Sequence, residues 1–351
     1  MIIKFEFSIN QLEEGDRAEL AHLFSEASRA SLLGCHRIVI SRAVAKWCAC
    51  NLDLTKKHRQ HIISLGQNYA QLGGQYKEAS RKVLVVSDSE KVFGKDGEWV
   101  FTVSEFLKGN YFEPAVLLLE HAKNDGDFYD LMLSISAKNI GFGEVSYEIY
   151  HGGGSTCGIE LERIFNQNKV IACICDTDKK TPYGSASSTC KSVFAAADRI
   201  NIVGIVQATP GREVENFLPL NTIHQLTHEN EALSQIEGFV ERQGDEVRPG
   251  DCLWLYFDIK DGFPVGSLDA YCKDRVSREW VCGKYNIKED ELPGFSLPSL
   301  GRNILTDFMS APELKGEFHR YVRSSYWKTH FFSWVEEILW VVSGGKKNRV
   351  G

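Results

Sequence analysis

The middle third of the chain alternates short apolar runs with amphipathic stretches. Ala115 to Leu119, Val170 to Cys175 and Ile202 to Val206 are continuous apolar runs, which are typical of strands buried on both faces of a parallel sheet. A further strand is predicted around Val145 to Tyr150, and helical patterns lie between the runs. This strand–helix rhythm predicts an α/β fold with a Rossmann-like parallel sheet.

The flanking regions show a different pattern, in which helical periodicity dominates. We therefore expect three parts: a mostly helical N-terminal region over 1–112, a central α/β domain over 113–220, and a mixed, mostly helical C-terminal region over 221–351. The stretch 37–51 is predicted as one helix, and the Gly-rich tail from Gly344 is predicted to be disordered.

The composition is that of an ordinary soluble globular protein, with 43% hydrophobic and 25% charged residues in 351. Because no apolar run approaches the roughly 18 to 20 residues of a membrane span and no signal peptide is recognisable, we expect a cytoplasmic protein without a membrane partner. The ten cysteines are expected to be reduced thiols. A net charge of −7 excludes nucleic-acid binding through bulk positive charge, although a local basic groove remains compatible with it.

Acidic residues follow two of the predicted buried strands at the point where each strand ends. Glu120 comes directly after the first run, and Asp176 and Asp178 follow the second as Asp-Thr-Asp. Since the carboxyl ends of parallel strands meet at one edge of a sheet, we expect these carboxylates to lie close together. Carboxylate oxygens are the ligands that Mg²⁺ or Mn²⁺ prefers. The sequence therefore predicts a divalent-cation site suited to phosphoryl chemistry.

An apolar strand ending in Glu, followed by a later apolar strand ending in Asp-x-Asp, resembles the TOPRIM domain of topoisomerases, bacterial primases and overcoming-lysogenization-defect nucleases. The resemblance covers about 113–220, and the stretch Gly211 to Pro219 resembles one in stand-alone TOPRIM proteins of bacterial defence systems. It implies a Mg²⁺-dependent nuclease acting on DNA or RNA. Glu120 would be an acid/base and metal-site residue, and Asp176 and Asp178 would be metal ligands.

The sequence departs from the family pattern near the first acid. The usual Glu-Gly is Glu120-His121 here, and the following acid stands at Asp125 or Asp127, of which we choose Asp125. Glu215, within the Gly211 to Pro219 stretch, is a further candidate for the metal site.

Basic residues near these acids are candidates for binding substrate phosphates. Lys179 and Lys180 follow the Asp-x-Asp directly, and Arg212 lies in the loop after the last predicted strand. From the resemblance we expect an effector of anti-phage defence that is controlled by a partner ATPase or a sensor protein. An oligomer of this chain is also compatible with the resemblance. The chain itself carries no Gly-x4-Gly-Lys-Ser/Thr sequence for binding ATP phosphates.

Two other functions remain open from the sequence. A haloacid-dehalogenase-like phosphatase also uses Asp-x-Asp after a buried strand, but Lys180 stands where that pattern has Thr or Val, and Glu120 would have no role. A non-catalytic TOPRIM-like module that binds nucleic acid or a partner chain would use the same fold without turnover.

Overall fold

The computed structural model describes residues 1–87, 97–227, 231–241 and 251–345. It is an α/β protein in which two four-stranded parallel sheets are flanked by helices, and this confirms the predicted fold class. Side chains from all three regions share one large hydrophobic core, and a smaller core lies under the other face of the central sheet.

The N-terminal region is rich in helices, and these surround a parallel sheet that was not predicted from the sequence pattern. In chain order its elements are β1 (Ile2–Glu6), α1 (Ile9–Glu14), α2 (Arg17–Leu33), β2 (Arg37–Ile40), α3 (Arg42–Asn51), α4 (Lys56–Gln67), α5 (Tyr69–Glu78), β3 (Lys82–Val86), β4 (Glu98–Thr102) and α6 (Val103–Leu107). The strands pair in the order β2-β1-β3-β4.

The helix predicted over 37–51 is wrong at its beginning. Arg37–Ile40 forms β2, which is buried throughout and pairs with β1. The β-branched residues at 38–40 suit a buried strand, and the helix α3 begins only after Ser41, whose side chain accepts a hydrogen bond from the N–H of Val44. A four-residue strand followed directly by a capped helix is too short to separate by periodicity alone.

The central region forms the second sheet. Its elements are β5 (Ala115–Leu119), α7 (Ala122–Asn139), β6 (Glu144–Val145), β7 (Tyr147–His151), a 3₁₀ turn (Gly154–Thr156), α8 (Cys157–Phe165), β8 (Val170–Cys175), α9 (Ser188–Ala197), β9 (Val203–Ala208) and a 3₁₀ helix (Val214–Phe217). The strands are parallel in the order β7-β5-β8-β9, and every residue of β5 and β8 is buried. The two strands that precede the predicted acids are therefore neighbours.

The C-terminal region is mostly helical and packs on the central sheet through its last helix. It comprises α10 (Leu220–Thr227), α11 (Glu231–Glu241), a 3₁₀ helix (Leu253–Tyr256), α12 (Ser267–Tyr271), α13 (Arg275–Tyr285), a 3₁₀ helix (Glu289–Gly294), α14 (Ile304–Ser310), α15 (Pro312–Tyr321), α16 (Ser325–His330), α17 (Phe332–Val342) and β10 (Ser343–Gly344). Helix α17 contacts β5, β8 and β9. Among the described residues, no helix is long and apolar enough to cross a membrane.

The predicted disorder of the Gly-rich tail is wrong at its first residue. Ser343–Gly344 pairs antiparallel with Glu144–Val145 of β6. Gly344 also lies directly against the backbone carbonyl of Gly34, where a Cβ would not fit. Lys346 and Lys347 lie outside the described residues.

Candidate functional site

Glu120 and Asp176 follow adjacent parallel strands at the same edge of the central sheet. Strands β5 and β8 are paired so that Leu119 lies opposite Ile174. The Glu120 side chain is 13% exposed, and its Oε2 is buried without a hydrogen-bond partner among the described residues. Burial raises the pKa of Glu120, with a further contribution from the charge of Asp178, whereas His121 opposes the rise.

The Gly-rich turn after β7 holds the end of β5 in place. The N–H of Gly152 donates to the carbonyl of Leu119 at 2.7 Å, and the N–H of Gly154 donates to the carbonyl of Glu120 at 3.3 Å. A Cβ on Gly152 would lie 2.6 Å from Sγ of Cys157, so a larger residue does not fit there. The turn thus fixes the backbone of Glu120 before helix α8 begins.

Asp125 and Asp176 are part of one electrostatic group. Asp125 lies in the first turn of α7 and is 7% exposed, whereas Asp127 is exposed. Burial raises the pKa of Asp125 to about 7, with a contribution from the charge of Glu215. Burial also raises the pKa of Asp176 well above its usual range, and the charges of Asp125 and Glu215 add to that effect. These acids disfavour simultaneous ionisation unless a cation joins them.

Lys260, from the C-terminal region, is such a cation. Its Nζ lies 2.9 Å from Oε1 of Glu215 and 3.1 Å from Oε2 of Glu213, and both acids are buried. Their other oxygens, Oε2 of Glu215 and Oε1 of Glu213, have no hydrogen-bond partner within the described part of the chain. We refer to Glu120, Asp125, Asp176, Asp178, Glu213 and Glu215 as the acid cluster.

Asp178 differs from the other members of the acid cluster in its backbone. Its φ of 53° is in the left-handed region, which Asp adopts more readily than most residues that carry a Cβ. Two hydrogen bonds with Arg212 hold this conformation: the N–H of Asp178 donates to the Arg212 carbonyl at 2.9 Å, and the Arg212 guanidinium donates to the Asp178 carbonyl at 2.6 Å. Its charge acts on Glu120 and on Tyr271.

The three predicted phosphate-binding residues differ in their exposure and in the contacts that their side chains already make. The Arg212 guanidinium is 12% exposed and pairs with Asp258 at 2.5 Å, so it is engaged within the protein. The Nζ of Lys180 lies 5.7 Å from the ring centroid of Phe263, and burial lowers its pKa. Lys179 is partly exposed, and its backbone N–H donates to Oγ1 of Thr177.

The segment Gly211 to Pro219 is held against the C-terminal region by several hydrogen bonds. Asn216 donates from Nδ2 to the carbonyls of Trp254 at 2.7 Å and Phe257 at 3.0 Å, and the N–H of Arg212 donates to the carbonyl of Leu255 at 2.6 Å. The site is therefore assembled from the central sheet and the C-terminal region together.

Sequence reasoning did not find Lys260, Asp258 or Glu213. A signal for the first two was present, because Asp258 and Lys260 follow the apolar run 252–257 in the same way that the other acids follow β5 and β8. That run contains a buried 3₁₀ helix rather than a strand. The rule that residues following parallel strands meet at one edge of the sheet therefore does not apply to Asp258 and Lys260.

The donor set fits a hard divalent cation in its chemistry. Carboxylate oxygens of Glu120, Glu213 and Glu215 are buried without hydrogen-bond partners in the described residues, and the pKa values of Asp125 and Asp176 are raised. Within the described ranges, no three His, Cys, Asp or Glu side chains are placed closely enough to hold a metal ion as they stand. Cation binding here therefore requires side-chain movement.

Comparisons of the chain with protein-family models, with curated proteins and with solved structures found no match. The assignment to the TOPRIM family stays a prediction from the sequence pattern.

Proposed function

We propose that the protein is a Mg²⁺-dependent nuclease of the TOPRIM type that hydrolyses phosphodiester bonds in DNA or RNA. The observation that carries the proposal is the position of Glu120 and Asp176 at the ends of adjacent parallel strands, with an unpartnered buried oxygen on Glu120. Chemistry in open parallel sheets collects at this edge.

The roles of the acids follow from their surroundings. Asp176, Asp178, Asp125 and Glu215 would hold Mg²⁺ or Mn²⁺, which would polarise the scissile phosphate and lower the pKa of an attacking water. Burial raises the pKa of Glu120, and we assign it the role of moving a proton. Lys260 balances the charge of Glu213 and Glu215.

Substrate phosphates would meet the cluster from the loop after β8. Lys179 and Lys180 are both partly exposed there and are the predicted basic residues that would meet the phosphates. Arg212 contributes instead by holding the backbone of Asp178 and the side chain of Asp258.

The biological role that we propose is that of a cytoplasmic anti-phage defence effector controlled by a partner ATPase or sensor protein. It rests on the resemblance of Gly211 to Pro219 to stand-alone TOPRIM proteins of defence systems. This segment is hydrogen-bonded to the C-terminal region. A partner that binds the C-terminal region would therefore also affect the segment that carries Glu215.

The test is a cleavage panel with plasmid, single-stranded DNA, total tRNA and a small phosphomonoester, each with Mg²⁺, Mn²⁺ or EDTA. We expect cation-dependent cutting of a nucleic acid that is lost in Glu120→Ala and Asp176→Ala. Turnover of the phosphomonoester alone would instead support the phosphatase. Tight, Mg²⁺-independent binding without turnover would support the binding module and contradict the nuclease.

A further inference from the structure

A second candidate site lies at the opposite end of α7 from the acid cluster. A cavity of about 400 Å³ opens between the last residues of α7 and the helices α16 and α17. Its volume is in the range of small-molecule sites. At a rise of about 1.5 Å per residue, Ser136 lies about 16 Å along the helix from Asp125. The cavity is therefore separate from the acid cluster.

The rim of the cavity is cationic although the chain is acidic overall. Lys138, Arg323 and Lys328 line it, and all three are exposed, against one acid, Glu336. In the described part of the chain, Lys138 and Lys328 form no ion pair, and Arg323 donates from Nε to Oδ1 of Asn139 at 3.0 Å. Three cations at one opening are complementary to an anionic group.

The helix that closes the cavity adds partial positive charge. Phe332 is the first residue of α17 and lines the cavity, and the helix has no side-chain cap at its N-terminus. The free N–H groups of a helix's first turn favour an anion nearby. This reinforces the charge of the three basic residues.

The interior of the cavity is partly apolar and includes aromatic side chains. Trp327, Val322 and Val335 supply buried apolar surface, and the half-buried Phe332 supplies an aromatic ring. Ser136 is 4% exposed and lines the cavity.

Two residues that line the cavity each carry a buried polar atom without a hydrogen-bond partner in the described residues. Oγ of Ser136 and Nδ2 of Asn139 are buried and have no hydrogen-bond partner among the described residues. Unpartnered buried polar atoms are costly in a folded protein, and a ligand edge that bonds them offsets that cost.

We propose that this cavity binds a nucleoside monophosphate. The phosphate lies against Lys138, Arg323 and Lys328, and the base packs beside Phe332 with its edge toward Asn139 and Ser136. The proposal does not depend on the proposed nuclease, because none of these residues belongs to the acid cluster.

The test is isothermal titration calorimetry of the full chain at low ionic strength with AMP, GMP, CMP and UMP, beside inorganic phosphate and adenosine. A ligand of this size that fills the cavity is expected to bind with a dissociation constant on the order of 10 µM. Inorganic phosphate and adenosine each supply half of the contacts and should bind at least about tenfold more weakly. Absence of binding by all four nucleotides up to about 1 mM, two orders of magnitude above that expectation, would overturn the proposal.

Charge reversal at the rim decides whether the binding is at this cavity. The double variant Lys138→Glu/Lys328→Glu changes exposed side chains, so it should fold normally and weaken nucleotide binding by at least about tenfold. The matched control Lys56→Glu/Lys57→Glu, on the exposed N-terminal turn of α4, should bind as the wild type does.

Unchanged affinity in the rim variant would overturn the assignment. Asp176→Asn should bind the nucleotide normally, and loss of binding in that variant would place the nucleotide at the acid cluster instead.

Discussion

The ammonium group of Lys260 lies 2.9 Å from a carboxylate oxygen of Glu215, and the two residues come from different regions of the chain. Glu215 follows the last strand of the central sheet, whereas Lys260 follows a buried 3₁₀ helix of the C-terminal region. The same ammonium also lies 3.1 Å from Glu213. The C-terminal region therefore supplies a cation that opposes the mutual repulsion of Glu213 and Glu215.

Replacing Lys260 with Met should destabilise the protein by about 2 kcal/mol, because it leaves two buried carboxylates without their cation. The expected cost is below that of a fully buried pair, since Lys260 is 35% exposed. Urea unfolding of Lys260→Met, Glu215→Gln and the double variant measures the coupling. If the double variant loses as much free energy of unfolding as the two single variants together, the ion pair does not contribute to stability and the prediction is wrong.

Asp125→Asn should change how stability depends on pH. The carboxyl of Asp125 has its pKa raised to about 7, so the folded state binds its proton more tightly than the unfolded state does. That contribution to the free energy of unfolding is fully present below the unfolded value of about 3.9 and is lost as the pH rises through 7. The free energy of unfolding of Asp125→Asn, relative to that of the wild type, should therefore increase as the pH is raised from 5 to 8.

Urea unfolding in EDTA at the two pH values measures the effect. The matched control is Asp127→Asn, since Asp127 is exposed on the same helix, and it should track the wild type. A difference between Asp125→Asn and the wild type that stays constant from pH 5 to pH 8 would be inconsistent with the raised pKa.

Mg²⁺ should stabilise the folded protein, because the proposed ligands carry mutually repelling charges. At ten times its dissociation constant the ion should add about 1.4 kcal/mol to the free energy of unfolding. Thermal unfolding with Mg²⁺ and with EDTA should show a higher midpoint with the ion. In Asp176→Asn the shift should disappear, and a full shift in that variant would place the ion elsewhere.

Gly211→Ala should destabilise the protein and disturb the loop that carries Glu213 and Glu215. An added Cβ would lie 2.6 Å from the backbone carbonyl of Leu255, which has little room to move. We expect a cost of roughly 1 to 3 kcal/mol. The control Gly283→Ala places its Cβ in open space on helix α13 and should be neutral or slightly stabilising. Equal stabilities of the two variants would contradict the close packing.

The central sheet could be predicted from the sequence because its signal is local. The apolar runs that became β5 and β8 are each followed directly by an acid, and strands buried on both faces have no polar positions to obscure the pattern. The pairing of these strands as neighbours then brings Glu120 and Asp176 to one edge.

The rest of the site depends on contacts between distant parts of the chain. Lys260 follows a 3₁₀ helix, and its position beside Glu215 is set by hydrogen bonds from Asn216 to the carbonyls of Trp254 and Phe257. No periodicity encodes those bonds. The strand β2 was missed for a related reason, because its stability comes from burial beside β1 rather than from its own length.

The most direct test of the proposed nuclease activity is the rate of Mg²⁺-dependent cleavage of the nucleic acid that the panel identifies. It compares the wild type with Glu120→Gln, Asp176→Asn and the variant that carries both changes. Both single variants keep the size of the side chain and remove its charge. We expect each to lower the rate by at least about a hundredfold while unfolding cooperatively like the wild type. Cleavage at the wild-type rate by the folded double variant would contradict the account.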